Sequence, residues 1–227
     1  MTARQVFAAA VATLTLAACA PEAPDYQAVW STTSAPSPSP QASNPSANPS
    51  GAPVPIAAFL EQNGVTGQPV AYTKVTDLTV TMPTPPGWHP YQNTNLSPGT
   101  RMIVKGDTYP TAMLIMFELT GNFDIAQALT HANVDAQMSQ NFRQLNASTA
   151  DFGGFPSSMI EGSYDLNESR MHSYNRIVIA TGAAPKKQRY LIQFTVTGYA
   201  EKAAEEAGDI EAVIRGFTVK VPTPPAR

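Results

Sequence analysis

The residues with the most specific chemistry are Leu16-Ala17-Ala18-Cys19, which follow an apolar run that begins at Val6. Small residues that lead directly into a lone cysteine form the lipobox pattern, because the thiol of Cys19 can be alkylated by a diacylglyceryl group. Cleavage before this cysteine frees an amine that can be acylated as well. The apolar run is shorter than the roughly 20 residues of a membrane span, and it is typical of a signal-peptide core. The sequence therefore predicts a signal peptide over residues 1–18 and lipidation at Cys19.

This lipid anchor would hold the mature chain on the outer face of the cytoplasmic membrane, in the cell envelope. One acyl chain gives only marginal membrane binding, whereas a diacylglyceryl cysteine supplies the two chains that stable anchoring needs. The full chain has a net charge of -3, so anionic lipid would not attract it and the acyl chains must hold it alone. The alternative, a secreted protein whose cysteine follows the apolar run by chance, stays open.

Serine and histidine chemistry is only weakly indicated. Ser163 lies in Gly162-Ser163-Tyr164-Asp165, which lacks the second glycine of the G-x-S-x-G nucleophile motif. The histidines are His89, His131 and His172, and they form no H-E-x-x-H motif. We therefore predict no catalytic residue, no metal ligand, no cofactor and no enzymatic activity. A triad or a three-histidine metal site assembled from distant residues stays open.

Aromatic residues in two predicted loops are the best candidates for ligand binding. Trp88 and Tyr91 lie in a Pro-rich loop after the first predicted strand, and Tyr109 precedes the predicted central strand. An aromatic ring buries a large area at a small entropic cost, so it can stack on a sugar or line an acyl groove. We predict Trp88, Tyr91 and Tyr109 as ligand-binding residues, and the alternative that Trp88 closes one end of the core stays open.

The composition separates a tether from one folded domain. Charged residues make up only 14% of the chain, and the negative net charge argues against a nucleic-acid partner, which would require a basic surface. Residues 19–55 contain the lipidated cysteine and a Pro/Ser-rich segment without apolar periodicity, which predicts a disordered tether. Residues 56–221 are predicted to form a single globular domain, and residues 222–227 a Pro-rich tail.

The hydrophobic periodicity of residues 56–221 predicts three helices and eight strands. Because strands outnumber the helices that could cross over between them, most neighbouring strands must be antiparallel. Two long helices with one apolar stripe each must then cover the sheet. The predicted fold class is α+β, an antiparallel sheet flanked by helices on both faces. The predicted helices are 56–62, a helix capped by Asn122 and extending to Ala136, and 201–215; the predicted strands are 76–82, 101–105, 112–119, 143–150, 157–165, 170–180, 188–197 and 217–221.

Several segments together resemble the LpqN/LpqT family of mycobacterial lipoproteins, and more closely its LpqT branch. The resemblance covers nearly the whole chain, and the segments keep their order. They are Cys19 after the lipobox, the Pro/Ser spacer, Thr76-Asp77-Leu78-Thr79-Val80, Pro83-Thr84-Pro85-Pro86-Gly87-Trp88, Asn141-Phe142-Arg143-Gln144-Leu145, Gly154-Phe155-Pro156-Ser157, Gly162-Ser163-Tyr164-Asp165-Leu166 and Asp209-Ile210-Glu211-Ala212-Val213-Ile214.

The resemblance implies a Mog1/PsbP-like α/β/α sandwich, a fold used mostly by non-enzymatic binding modules, and a role in cell-envelope biogenesis. It defines no catalytic residue. Together with the anchor, it predicts a membrane-tethered module that binds an envelope glycolipid, such as an acylated trehalose, or an envelope lipid-transport protein. Two alternatives stay open: a protein-interaction adaptor without a small ligand, and an envelope hydrolase or esterase.

Overall fold

The computed structural model describes residues 51–92 and 95–222. The predicted signal peptide, Cys19, most of the predicted tether and residues 223–227 of the predicted tail lie outside the described residues. Within the two described ranges, no helix combines the length and the apolar character needed to cross a membrane.

Ten strands and four α-helices are formed by the described residues. The strands are β1 (Thr66–Pro69), β2 (Thr79–Thr81), β3 (Trp88–Pro90), β4 (Arg101–Lys105), β5 (Thr111–Thr120), β6 (Arg143–Ser148), β7 (Ser157–Leu166), β8 (Ser169–Thr181), β9 (Arg189–Tyr199) and β10 (Thr218–Lys220). The helices are α1 (Ile56–Gln62), α2 (Ile125–Thr130), α3 (Val134–Gln137) and α4 (Ala203–Gly216).

Eight strands form one antiparallel sheet around the long strand β5. Along the sheet the order is β3-β4-β5-β9-β8-β7-β6, and β1 also pairs with β5. β4 pairs with the first part of β5, where Arg101 lies opposite Leu114, and β1 pairs with the last part, where Thr66 lies opposite Thr120. β4 and β1 therefore share one edge of β5, while β9 follows the other edge.

One face of the sheet, which we call the α4 face, is covered by α4. Side chains alternate between the two faces of a strand, and Leu114 of β5 and Phe194 of β9 point to this face, where they are buried with Val213 of α4. An ion pair between Lys105 of β4 and Asp209 of α4 joins the helix to the sheet. The small sheet of β2 and β10 contributes to the same core.

The opposite face, which we call the α2 face, carries the second core. Ile115 and Leu191 are buried there with Leu60 of α1 and Ala128 of α2. Helices thus cover both faces of an antiparallel sheet, which confirms the predicted fold class. The predicted bounds of α1 and of the strand Arg101–Lys105 are confirmed as well.

The prediction of one helix capped by Asn122 and extending to Ala136 is wrong in two respects. The N-cap is Asp124, whose side chain accepts a hydrogen bond from the backbone N–H of Gln127 at 2.9 Å. The helix is also divided, because α2 ends at Thr130 and α3 begins at Val134. The two are separated by residues 131–133, where His131 Nδ1 donates a hydrogen bond to the carbonyl oxygen of Val54 at 2.8 Å.

The first and last predicted strands, around residues 76–82 and 217–221, do not join the main sheet. β2 and β10 pair with each other, with Val80 opposite Val219. The alternation that predicts the first strand holds in the structure, since Leu78, Val80 and Met82 are all buried. The apolar pattern therefore indicates burial correctly, although it contains no information about the partner strand.

Replacing Gly182 by alanine is expected to lower the free energy of unfolding by about 1–3 kcal/mol, because a Cβ there would lie 2.2 Å from Oδ2 of the buried Asp77. The matched change Gly208→Ala is expected to raise it by about 0.5–1 kcal/mol, since Gly208 lies within α4 and a Cβ there meets nothing within 4 Å. Urea unfolding of both variants measures the difference, and equal effects would contradict this account.

Candidate functional site

A cavity of about 430 Å³ opens between the α2 face of the sheet and the segment that leads from α2 through α3 to β6. Side chains of β5, β7, β8 and β9 form its floor, and residues 132–140 form its roof. The volume lies within the range of ligand-binding cavities, roughly 300–1,000 Å³. The apolar lining residues are Met113, Ile115, Ala132, Ala136, Met138, Tyr164, Leu166 and Ile177.

Polar side chains interrupt this apolar floor near the middle of the sheet. Asn175 of β8 and Thr195 of β9 lie opposite each other, and Thr195 Oγ1 donates a hydrogen bond to Asn175 Oδ1 at 3.1 Å. Asn175 Nδ2 donates to Ser173 Oγ at 3.2 Å. Gln193 lies two residues before Thr195 on β9 and lines the same cavity. The floor therefore presents amide and hydroxyl groups beside apolar surface.

The roof contributes one acidic group. Asp135 of α3 lines the cavity opposite the floor. Burial raises the pKa of its carboxyl group above the ordinary value. Because removal from water disfavours a charged carboxylate, a ligand hydroxyl that donates a hydrogen bond to Asp135 would replace part of the lost hydration.

A hydrogen-bond network fixes the lip of the cavity, where the chain passes from residue 140 to β6. Arg170 donates to Asp165 Oδ1 at 2.8 Å, to the carbonyl oxygen of Asn141 at 2.9 Å and to Ser163 Oγ at 2.7 Å. Asn141 Nδ2 donates to Asp165 Oδ2 at 2.6 Å. The hydrogen bond from Asn141 and that from Arg170 hold the pKa of Asp165 below its usual range. Both Gln140 and Asp165 line the cavity, so this network holds its edge in place.

Trp88 lies on the α4 face, away from the cavity. It begins β3, and residues 88–90, for which the sequence predicts a loop, form an edge strand paired with β4. Trp88 faces Lys105 across the strands and is only 6% exposed within the core under α4. Its ligand-binding role stays a prediction, and the structure places it among core residues.

Tyr91 follows β3, and Tyr109 precedes β5 and lies near Tyr91. The ring of Tyr109 packs edge-on against Tyr199, with 5.0 Å between their centroids. Burial raises the pKa of Tyr109 to about 12, and the nearby hydroxyls of Tyr164, Tyr199 and Tyr91 add to this rise. The structure therefore brings Tyr91 and Tyr109 into one neighbourhood with Tyr164, which lines the cavity. It does not bring Trp88 to them.

The three histidines lie apart from one another, and the neighbours His172 and Ser163 have different hydrogen-bond partners. His131 stacks on Phe59 with 4.4 Å between the ring centroids, and His89 is exposed on β3. His172 Nε2 lies 3.0 Å from Glu161 Oε1. Ser163 is the cross-strand neighbour of His172, but its hydroxyl accepts a hydrogen bond from Arg170. In the part of the chain that the structure describes, no three His, Cys, Asp or Glu residues converge in a way that could hold a metal ion.

The cavity itself is not among the features predicted from the sequence, although β9 contains a signal for it. Ile192 and Phe194 alternate with Gln193 and Thr195, so over these four residues a central strand has one apolar and one polar face. Helices cover both faces of this sheet, and polar residues on a covered face require hydrogen-bond partners. Such an alternation in a covered strand therefore makes its polar face a candidate ligand site.

Comparison with known proteins gives a consistent assignment. The family model described as "Probable lipoprotein LpqN" matches residues 52–220. The "Putative lipoprotein LpqT" of Mycobacterium tuberculosis is 54% identical over 214 residues, which cover 93% of this chain and 92% of that protein.

The fold is shared with a solved structure of the family. The crystal structure of LpqN from Mycobacterium tuberculosis, described as involved in cell envelope biogenesis, aligns with a TM-score of 0.62 and 21% identity over 76% of this chain and 100% of that chain. The solution structure of PsbP from Synechocystis aligns with a TM-score of 0.41 and 15% identity over 66% of this chain and 96% of that chain. The family match and the 54% identity show that this chain belongs to the LpqN family of lipoproteins.

Proposed function

We propose that the protein is a membrane-anchored, extracytoplasmic binding module that takes an envelope glycolipid, of the acylated trehalose type, in the cavity of the α2 face. The observation that carries this proposal is the cavity of about 430 Å³ with its mixed lining. Met113, Ile115 and Ile177 offer apolar surface, while Asn175 and Gln193 offer amide groups a short distance away. A ligand with one apolar and one polar part matches such a lining better than a purely apolar or purely polar ligand.

The anchor and the tether support this role by limiting how far the domain can move from the membrane. Acyl chains on Cys19 would hold one end of the tether, and the domain begins with α1 at Ile56. A flexible segment as long as residues 19–55 has a root-mean-square end-to-end distance of roughly 30–35 Å, and the prolines of the tether extend it further. The cavity would then stay within reach of lipids that leave the outer leaflet, and of an envelope transport protein that delivers or receives them.

The involvement of Mycobacterium tuberculosis LpqN in cell envelope biogenesis supports the same setting for its relative. A non-enzymatic role is supported by the hydrogen bond that the Ser163 hydroxyl accepts from Arg170. His172 is directed to Glu161, and its Nε2 makes a 3.0 Å contact there. A nucleophilic serine needs a base within hydrogen-bond reach. Here the candidate base His172 contacts Glu161, whereas the Ser163 hydroxyl is bonded to Arg170.

The change Ala136→Trp tests the proposal by filling the cavity from its roof. Ala136 lines the cavity and is partly exposed, so the indole is expected to occupy the space without disturbing the cores. Binding of acyl-trehaloses, measured by titration calorimetry below their micellar concentration, is expected to weaken at least a hundredfold. The matched variant Ala204→Trp places the same side chain on the exposed surface of α4 and is expected to bind like the wild type.

The proposal fails if the wild-type domain neither binds acyl-trehaloses nor retains any lipid from an envelope extract. It also fails if Ala136→Trp and Ala204→Trp bind equally well. Thermal unfolding of both variants shows whether a loss of binding comes from a loss of fold.

A further inference from the structure

We propose a second binding site, outside the cavity of the α2 face, for a sugar that carries an oxyanion, either a phosphate or a carboxylate. The site is a pocket of about 320 Å³ between the 3₁₀ helix Tyr72–Lys74 and the start of β4, and its cation is Arg101. It shares no lining residue with the cavity of the α2 face, so this proposal does not depend on the proposed function.

The guanidinium of Arg101 is held in place without being neutralised. It donates hydrogen bonds to the hydroxyl of Tyr72 at 2.5 Å and to Thr84 Oγ1 at 2.6 Å, and both of these acceptors are uncharged. Within residues 51–92 and 95–222, Arg101 forms no ion pair with a carboxylate. A guanidinium has five N–H donors in a planar fork that matches two oxygens of a phosphate or a carboxylate, so donors remain for such a ligand.

The same pocket contains a hydroxyl that requires a partner. Thr100 Oγ1 is buried and has no hydrogen-bond partner among the described residues, whereas most buried polar atoms have one. Thr100 and Arg101 both line the pocket, so a ring hydroxyl of a ligand held by the guanidinium can supply the missing hydrogen bond. A lone inorganic anion offers fewer such groups than a sugar, which both donates and accepts.

Tyr91 gives the pocket an aromatic wall. Its backbone N–H donates to the carbonyl oxygen of Met102 at 2.9 Å, which ties Tyr91 to β4 beside Arg101. An aromatic ring can pack against the C–H face of a sugar while the sugar hydroxyls reach polar neighbours. The volume lies at the lower end of the range for ligand cavities, roughly 300–1,000 Å³, so it suits one sugar ring better than a long acyl chain.

The two walls of the pocket are packed against each other beside the site. A Cβ added at Gly99 would lie only 2.6 Å from the backbone nitrogen of Ala71, the residue before the 3₁₀ helix. This close approach fixes Tyr72 relative to Arg101 in the absence of a ligand. A pocket that is already formed loses less conformational entropy on binding.

The test titrates glucose 6-phosphate, glucuronic acid and methyl glucoside into the complete mature chain carrying Cys19→Ser, with NMR of the backbone amides as the readout. At least one of the two charged sugars is expected to bind about tenfold or more tightly than methyl glucoside, because charge-assisted hydrogen bonds are the stronger ones. Comparison of the two identifies the oxyanion. Arg101→Gln is expected to abolish this preference, and Arg143→Gln, which removes the same charge from an exposed site on β6, is expected to preserve it.

Arg101→Gln also loses the hydrogen bonds to Tyr72 and Thr84, so thermal unfolding must show that the variant is folded. Thr100→Val and Tyr91→Ala leave those bonds intact, and each is expected to weaken binding of the charged sugar about three- to tenfold. The proposal is overturned if methyl glucoside binds as tightly as both charged sugars, or if Arg101→Gln and Arg143→Gln have equal effects. Binding of acyl-trehaloses is expected to be unchanged in Arg101→Gln, so failure of this site is distinguishable from failure of the proposed function.

Discussion

Replacement of Cys19 by serine is expected to move the protein from the membrane pellet to the soluble fraction almost completely. The lipobox Leu16-Ala17-Ala18-Cys19 provides one thiol for the diacylglyceryl group. A serine hydroxyl does not form the thioether, so a mature chain with serine at this position carries no diacylglyceryl group to hold it in the membrane. The rest of the mature chain offers no electrostatic substitute, because loss of Arg4 makes its formal net charge more negative than the -3 of the full chain.

Fractionation of cells that express the wild type or the Cys19→Ser variant measures the effect, and mass spectrometry of the native protein identifies the modification. Wild-type peptide is expected to begin at Cys19 and to carry a diacylglyceryl group. The control Ser34→Ala changes the tether without touching the lipobox, and it is expected to remain in the pellet. An unmodified thiol at Cys19 in native material would contradict the anchor.

Replacement of Phe194 by alanine is expected to lower the free energy of unfolding by about 3–5 kcal/mol, a large part of the total for a domain of this size. Phe194 is fully buried on the α4 face. Its ring stacks on Phe217 with 4.2 Å between the centroids and meets Tyr174 edge-on at 6.2 Å. The loss combines a cavity in the core with the loss of two aromatic contacts.

Urea unfolding followed by circular dichroism measures this change. The matched variant Leu145→Ala removes a large apolar side chain that is 65% exposed on β6, and it is expected to change stability by less than about 0.5 kcal/mol. Similar losses for both variants would show that the core does not depend on the aromatic contacts of Phe194.

The sequence predicts well those elements whose burial pattern or bounds depend only on their own residues. The burial of Leu78, Val80 and Met82 follows from strict alternation, and α1 follows from its short apolar run ending before Gly64. The partner of β2 cannot be predicted this way, because strand pairing depends on residues far along the chain. β3 escapes prediction since three residues between prolines and glycine contain too little periodicity to distinguish a strand from a loop.

The site is harder to predict because a cavity is a property of several elements together. Aromatic content points to Trp88, yet the register that pairs Trp88 with Lys105 turns the indole toward α4. Tyr109 is nearer to the site, since its neighbour Tyr164 lines the cavity. Asp135 gives no sequence signal at all, because its burial results from how α3 closes over the sheet.

The burial of Trp88 on the face opposite the cavity determines which optical signals can report on the domain. Its indole lies across the sheet from the cavity, so its fluorescence should respond to loss of the core and stay nearly constant when a ligand enters. The other tryptophan, Trp30, belongs to the predicted tether. Intrinsic emission of a tether-free domain is therefore a measure of global unfolding, and ligand titrations require a separate probe placed on the α2 face.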